Sequence, residues 1–389
     1  MIDLDAIRAD TPACNSLIHF NNAGASLMPQ PVYQAVTDHL QLEVTRGGYE
    51  AAHAAQAELD AFYQEFATLL NASPDEIAYV ENATRAWDMA FYGLPLQPGD
   101  RILTHESEYS SNYLAMLQQA NRKQLHIDLV PSDASGQIDV DAIDDLITDR
   151  TRVIALTHVP TQGGLINPAV AVGKKAKALG LIYMLDACQS AGQVPLDVQD
   201  IQCDVLSGTG RKFLRGPRGT GFLYVNRAFI EQIDPPFVDL HTTDWTHDND
   251  YRLIDGAKRF ENWESYVAGR VGLTAAVRYA NAIGMDAIRQ RVDHLATTLR
   301  AGLSDITGVD LHDQGVEKSG IVTFTKRNRT ASDIAATLQT RHINVSVTNF
   351  KSARIDLGGR NLQDITRSSV HYFNNENEID RFCETVKSL

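Results

Sequence analysis

Residues 207–221 read Ser207-Gly208-Thr209-Gly210-Arg211-Lys212-Phe213-Leu214-Arg215-Gly216-Pro217-Arg218-Gly219-Thr220-Gly221. One lysine stands among glycines, small hydroxyl residues and arginines. Upstream, Met184-Leu185-Asp186-Ala187-Cys188-Gln189-Ser190 puts an acid at the end of an apolar run. Taken singly these features are ordinary. Arg211, Lys212, Arg215 and Arg218 alone read as a solvated basic turn. Asp186 alone reads as a helix cap, Gln189 as a surface residue, and the glycines as turns. Their order along the chain, and the architecture around them, give them a different weight.

Outward from this stretch, short apolar runs alternate with helical periodicity. The pattern predicts strands at Ile77-Ala78-Tyr79-Val80, Arg101-Ile102-Leu103-Thr104, Leu125 to Val130, Val153 to Thr157, Leu181 to Leu185 and Gly219 to Val225. Helices are predicted at Gln30 to Arg46, Ala51 to Leu70, Ala86 to Gly93, Ser111 to Asn121, Asp139 to Ile147 and Ala169 to Leu179. Such alternation argues an α/β fold, a mostly parallel sheet flanked by helices. Ligands of such sheets bind outside the carboxyl ends of the strands. Those ends carry Thr84, Glu108 to Asn112, Thr157 to Thr161, and Asp186 to Gln189. Asp234 to Phe260 lacks periodicity and reads as a long irregular segment, a lid or a dimer contact. Glu264 to Ile283 reads as a long helix, and the remainder as a smaller C-terminal α+β domain. The expected division is an N-terminal arm (1–20), a large domain (21–263), a linking helix (264–283) and a small domain (284–389).

Composition bounds the function. The 389 residues carry 35 Lys+Arg against 49 Asp+Glu, a formal charge of −14, which argues against nucleic-acid partners. No stretch approaches the ~20 apolar residues of a membrane helix, so no membrane association is expected. Met1-Ile2-Asp3-Leu4-Asp5-Ala6 lacks the basic and apolar regions of a signal peptide. The four cysteines (Cys14, Cys188, Cys203, Cys383) have no CxxC spacing and form no zinc pattern with the histidines, so no metal is expected. A reducing cytoplasm is the simplest setting.

A lysine that forms an imine needs a flexible stem and a depressed pKa. Arg211 beside Lys212 helps depress it. Glycines let backbone approach a ligand closely. Thr84, Thr209 and the amides at the start of the helix after Asn82-Ala83-Thr84 suit a phosphate. A carboxylate such as Asp186 keeps a pyridine nitrogen protonated, so that the ring accepts electrons from a substrate carbanion. Gln189 is placed to hydrogen-bond the ring's phenolic oxygen. Together these residues point to pyridoxal 5'-phosphate.

Over nearly its whole length the chain resembles the class V aminotransferase family of fold type I pyridoxal-phosphate enzymes, which includes cysteine desulfurases, selenocysteine lyases and isopenicillin N epimerase. The resemblance is carried by Asn22-Ala23-Gly24, Asn82-Ala83-Thr84, Asp186-x-x-Gln189, Thr209-Gly210-Arg211-Lys212 followed by Gly216-Pro217-x-Gly219-x-Gly221, and Thr366-Arg367-Ser368-Ser369-Val370. It implies that Lys212 is the Schiff-base lysine, with Asp186 on the ring nitrogen and Gln189 on the ring oxygen. Ala83, Thr84, Thr209 and Arg211 are the further cofactor contacts. Arg367 clamps the substrate carboxylate, a bidentate task suited to arginine, with Asn22 and Thr161 beside it. The plainer reading of Arg367 is a surface salt bridge with Asp364 or Glu376. The resemblance also implies a homodimer.

Departures from the family pattern bear on the reaction. Where members carry a histidine over the ring, Tyr109 follows Glu108, so a phenol is expected to stack there. His105 is out of register and reads as a strand-end polar residue. The Gly-Thr pair that family dimers send to the partner's cofactor is replaced within Arg259-Phe260-Glu261-Asn262-Trp263-Glu264. The loop that bears the nucleophilic cysteine of desulfurases reads Ser346-Val347-Thr348-Asn349-Phe350-Lys351-Ser352-Ala353-Arg354. Cys383 is expected in the terminal helix, and strand alternation turns Cys188 away from the ring. The expected chemistry is an external aldimine with an amino acid and loss of the Cα proton. β-Elimination at a C–S (or C–Se) bond is favoured, with transamination and epimerisation as alternatives. A non-catalytic binding protein that keeps the fold is the reading from a different class.

Overall fold

Val153, Ile154, Ala155 and Leu156 have no exposed surface. A strand buried on both faces needs cover on both faces. The computed structural model, which describes residues 2–389, provides it. Seven strands form the central sheet: β1 (Ile77–Val80), β2 (Arg101–His105), β3 (His126–Val130), β4 (Thr151–Thr157), β5 (Ile182–Asp186), β6 (Val205–Thr209) and β7 (Gly221–Val225). Their order is β1-β7-β6-β5-β4-β2-β3. β7 runs antiparallel to both neighbours, and the other pairs are parallel. The carboxyl ends of β2, β4, β5 and β6 therefore open along one edge.

Successive side chains of a strand point to opposite faces. Leu103, Ile154, Leu156, Tyr183, Leu185 and Leu206 join a core with Phe62, Phe66 and Leu273. Their neighbours Ile102, Val153, Ala155, Met184 and Val205 join a second core with Trp87, Met116 and Phe260. Helices Ala83–Phe91 and Ser110–Lys123 cover the second face, and Ala169–Ala178 and Val267–Ile283 the first.

A second, antiparallel sheet orders Val309–Leu311, Ile321–Lys326, Ile365–Ser369 and Ser346–Thr348. Helices Met285–Ser304, Ala331–Thr340 and Glu376–Lys387 pack on it around Leu295, Leu299, Phe324 and Phe382. The chain's start belongs with this sheet. Ile18–His19 pairs in parallel with Ile343–Asn344, and Asn21 bridges to Ser369. Among the described residues no helix is long and apolar enough to cross a membrane.

Several expectations shift. The helix expected over Ala51 to Leu70 is two, Gly48–Ala54 and Gln56–Leu70, broken at Ala55; an alanine-rich stretch carries no local mark of the break. The helix expected over Asp139 to Ile147 shrinks to Ile143–Leu146. There Asp139 Oδ1 captures the Asp141 and Ala142 amides, a turn that competes with helix. Val205–Thr209, rich in small polar residues, shows no strand pattern yet forms β6, because β5 and β7 pair with it on both sides. The irregular segment holds a hairpin, Thr243–His247 with Asp250–Leu253, exposed enough to leave no burial periodicity.

Candidate active site

Asp186 is the last residue of β5 and only 3% exposed. Its Oδ2 accepts a hydrogen bond from Asn112 Nδ2 at 2.8 Å, and its Oδ1 one from the Cys188 amide at 2.8 Å. Lys212 lies three residues past the end of β6 and is 7% exposed. Burial, helped by Arg211 and Arg367, holds its amine below the ordinary lysine value, while Cys188 and Asp186 oppose that. Lys212 Nζ lies 5.8 Å from the centre of the Tyr109 ring. Tyr109 is the residue before helix Ser110–Lys123, and its amide donates to Thr157 Oγ1 at 2.9 Å.

Gln189 is buried. Its Nε2 donates to Ala23 O at 3.1 Å and to Thr161 Oγ1 at 3.0 Å, while its Oε1 has no partner. Thr161 Oγ1 also accepts from Arg367 Nη1. Arg367 stands on Ile365–Ser369 of the small sheet, buried rather than on the surface. The salt bridges considered for it do not form. Glu376 pairs with Arg291 and His294, and Asp364 accepts from the Phe350 amide. Burial and Arg211 push the Arg367 guanidinium down to about 10, and its Nε has no partner. It is a cation short of anions.

Asn82 caps helix Ala83–Phe91 by accepting from the Arg85 amide at 2.9 Å. The first amides of a helix lack partners within it, so Ala83 and Thr84 present donors where the helix dipole favours an anion. Val80 and Thr209 both pair with Gly221, which brings the Thr84 turn and Thr209 to one end of the sheet. A Cβ on Gly221 would meet Gly208 O at 2.8 Å and Asn82 at 3.0 Å, so only glycine lets these segments close up.

Three sequence expectations change. Asn22 is fully buried and engaged within the protein. Its Nδ2 donates to His19 O and Ser369 O, and its Oδ1 accepts from Ser26. It therefore shapes the Ala23-Gly24 turn, and both side-chain N–H donors are committed within the protein. Arg211 Nη1 reaches Gly24 O, on the side of that turn, and no contact ties it to the Thr84 turn. The ground for turning the Cys188 thiol away from the ring is lost. Burial and Asp186 raise its pKa, and Lys212 and Arg211 act on it. β5 ends at Asp186 and the chain then turns, so strand alternation does not extend to Cys188.

Other residues fall as expected. His105 is a buried strand-end residue bonded to Ser107 and Ser132, and burial lowers it to about 4. Cys383 lies on Glu376–Lys387, against Gly302. The loop from Ser346 to Arg354 holds no cysteine. Trp263 is 58% exposed and so not core, while Glu261 beside it is buried and accepts from Tyr63 and the Tyr79 amide. Asn112 and Thr157, which hold Asp186 and Tyr109, were not singled out by pattern. Their only signal was a place at strand ends.

A buried amine, a buried carboxylate, an unpartnered amide oxygen and open helix amides at the end of one sheet suit pyridoxal phosphate. The fold and this set of groups define a fold type I pyridoxal-phosphate enzyme. The family described as "Aminotransferase class-V" matches residues 18–382, and the chain belongs to it. A probable cysteine desulfurase of Pyrococcus abyssi is 28% identical over 98% of both chains. The apo cysteine desulfurase of Thermococcus onnurineus NA1 superposes with a TM-score of 0.93 at 26% identity, covering 100% of this chain and 98% of that one. A C-DES structure with glycine covalently linked to its PLP cofactor shares the fold, with a TM-score of 0.89 at 22% identity over 98% and 99% of the two chains. The chain is thus a pyridoxal-phosphate-dependent enzyme of cysteine desulfurase-like build.

Proposed function

We propose that the enzyme cleaves the Cβ–S (or Cβ–Se) bond of an amino acid by β-elimination, acting as a cysteine-conjugate or selenocysteine lyase. The observation that carries this reading is the desulfurase-like fold combined with a loop, Ser346 to Arg354, that has no thiol to accept sulfur. Pyridoxal phosphate, when bound, supplies an electron-accepting ring. Lys212 Nζ would hold its aldehyde carbon, Asp186 would keep the ring nitrogen protonated, and Gln189 would meet the ring oxygen. The Ala83–Thr84 amides and Thr209 would hold the phosphate, and Tyr109 would stack on the ring. Arg367, steadied by Thr161, binds the substrate carboxylate. Lys212, whose amine burial holds below the ordinary lysine value, would be the base that takes the Cα proton. The Cβ–S bonding pair leaves with sulfur.

The parts on either side of Trp263 support a homodimer. Tyr49, Trp263 and Tyr266 are exposed and line one cleft with Glu81, next to the Thr84 turn. A second copy covering that cleft would wall the phosphate end of the site. The domain boundaries at 20, 263 and 283 and a cytoplasmic setting belong to the same reading.

Incubating the holoenzyme with cysteine, selenocysteine and S-alkyl cysteines tests it. Release of thiol, pyruvate and ammonia is expected. Conversion of the cofactor to its amine form, rescued by a keto acid, would establish transamination instead. A protein-bound persulfide would establish desulfuration.

A further inference from the structure

Asn112 Nδ2 carries two hydrogens, and both go to carboxylates: Asp186 Oδ2 at 2.8 Å and Glu108 Oε1 at 2.9 Å. Glu108 is buried, and its oxygens are surrounded by donors. Thr157 Oγ1 reaches Oε1 at 2.6 Å and the Tyr109 amide does so at 3.0 Å, while Thr104 Oγ1 reaches Oε2 at 3.1 Å. These donors come from β2, β4 and the start of helix Ser110–Lys123, so three elements converge on one carboxyl group. Among the described residues no cation pairs with it. The titratable groups facing it are Asp186 and Tyr183.

An unpaired buried carboxylate is costly, and a second carboxylate one amide away adds to the cost. A glutamine in this cage would avoid the charge and keep the contact with Asn112. What offsets the negative charge is a positive charge brought in on Asp186. Taking Asp186 as the partner of the ring nitrogen, as the proposed function does, we infer that Glu108 is a positioning residue for the cofactor. Acting through Asn112, it orients Asp186 and adds a second negative charge behind it, raising the proton affinity of the ring nitrogen.

The sign follows. Burial first, then the Asp186 charge, raises Glu108 to about 7, while its hydroxyl and amide donors pull it back. Above its pKa Glu108 is ionised and strengthens the protonated-ring contact. Below it Glu108 is neutral and the contact weakens. Cofactor affinity therefore rises with pH through a step that belongs to Glu108.

The experiment uses holoenzyme resolved and reconstituted with pyridoxal 5'-phosphate. The dissociation constant and the visible band of the lysine-bound cofactor are followed from acid to alkaline pH. Glu108→Gln should raise the dissociation constant about tenfold at alkaline pH, the equivalent of one pKa unit, and abolish the step. Thr157→Val keeps the acid but removes its shortest donor, so its step should move to higher pH. That variant also tests the inference if Glu108→Gln does not fold. Wild-type affinity and an unchanged step in Glu108→Gln, or an unmoved step in Thr157→Val, would overturn it. Failure of the wild type to show any lysine-bound band would instead sink the cofactor assignment beneath it.

Discussion

Arg367 reaches from the small sheet to Thr161, four residues past the end of β4, donating through Nη1 to the Thr161 hydroxyl and, at 3.3 Å, to its carbonyl. The same hydroxyl takes Gln189 Nε2, so one threonine joins a substrate-binding candidate to a cofactor-binding one. A hydrogen bond to a charged group is worth about 1.5–3 kcal/mol. Arg367→Ala should therefore raise KM for the amino acid by roughly 10- to 100-fold, with kcat changed less. Arg367→Lys should recover only part of the loss, because an ammonium lacks the planar fork. Steady-state kinetics with a fixed substrate series checks both. Equal loss in kcat and kcat/KM would place Arg367 in the chemical step instead.

Lys212→Ala should remove the borohydride-reducible adduct altogether. Among the described residues Lys212 makes no side-chain hydrogen bond, so the variant should fold with nearly unchanged melting behaviour. Peptide mass mapping of the reduced wild type locates the modified lysine. An adduct on any other lysine refutes the assignment.

Arg215 has a different task from its neighbours in the basic loop. It is fully buried, with φ of 61°, and donates to Leu27 O at 2.8 Å, to the Tyr372 hydroxyl at 3.0 Å and to Thr11 Oγ1 at 2.6 Å. Its guanidinium lies 4.5 Å from the Phe373 ring centre. Three such bonds from a charged group, at about 1.5–3 kcal/mol each, put the cost of Arg215→Ala on the order of 5 kcal/mol. Urea denaturation of the holoenzyme measures it. A change of a few tenths would show that the clamp contributes nothing.

His158 is buried, and burial, with Arg289, lowers it to about 4. The unfolded chain regains an ordinary value near 6.5. Between those values the unfolded state binds one more proton, so stability falls as pH falls through this window, by about 1.4 kcal/mol per unit for this group. His158→Gln should flatten that part of the stability curve relative to wild type. Matching slopes from pH 6.5 down to 4 in both proteins would exclude the effect.

Much of the central sheet was legible because buried parallel strands announce themselves as apolar runs. Val153 to Leu156 could hardly be anything else. The cofactor class was legible for a chemical reason, since few functions ask for a lysine among glycines (Lys212) shortly after an acid at a strand end (Asp186). β6 was not legible, because Ser207, Gly208 and Thr209 have no strand character of their own and take it from β5 and β7. Alternation gives no direction for Cys188, because it holds only while the strand continues, and β5 stops at Asp186.

By itself, then, the sequence determined the order of elements, the types of group at the strand ends and the missing thiol between Ser346 and Arg354. These are properties of the chain read locally. Tertiary structure alone decided which groups meet. Asn112 and Asp186 are 74 residues apart and Thr161 and Arg367 are 206 apart, and no local pattern specifies that each pair shares a hydrogen bond. Burial decides the rest. Arg215 became a buried clamp, Arg211 a neighbour of Gly24, and Glu108 a carboxyl group behind Asp186, because the charge state and reach of a side chain depend on what packs around it.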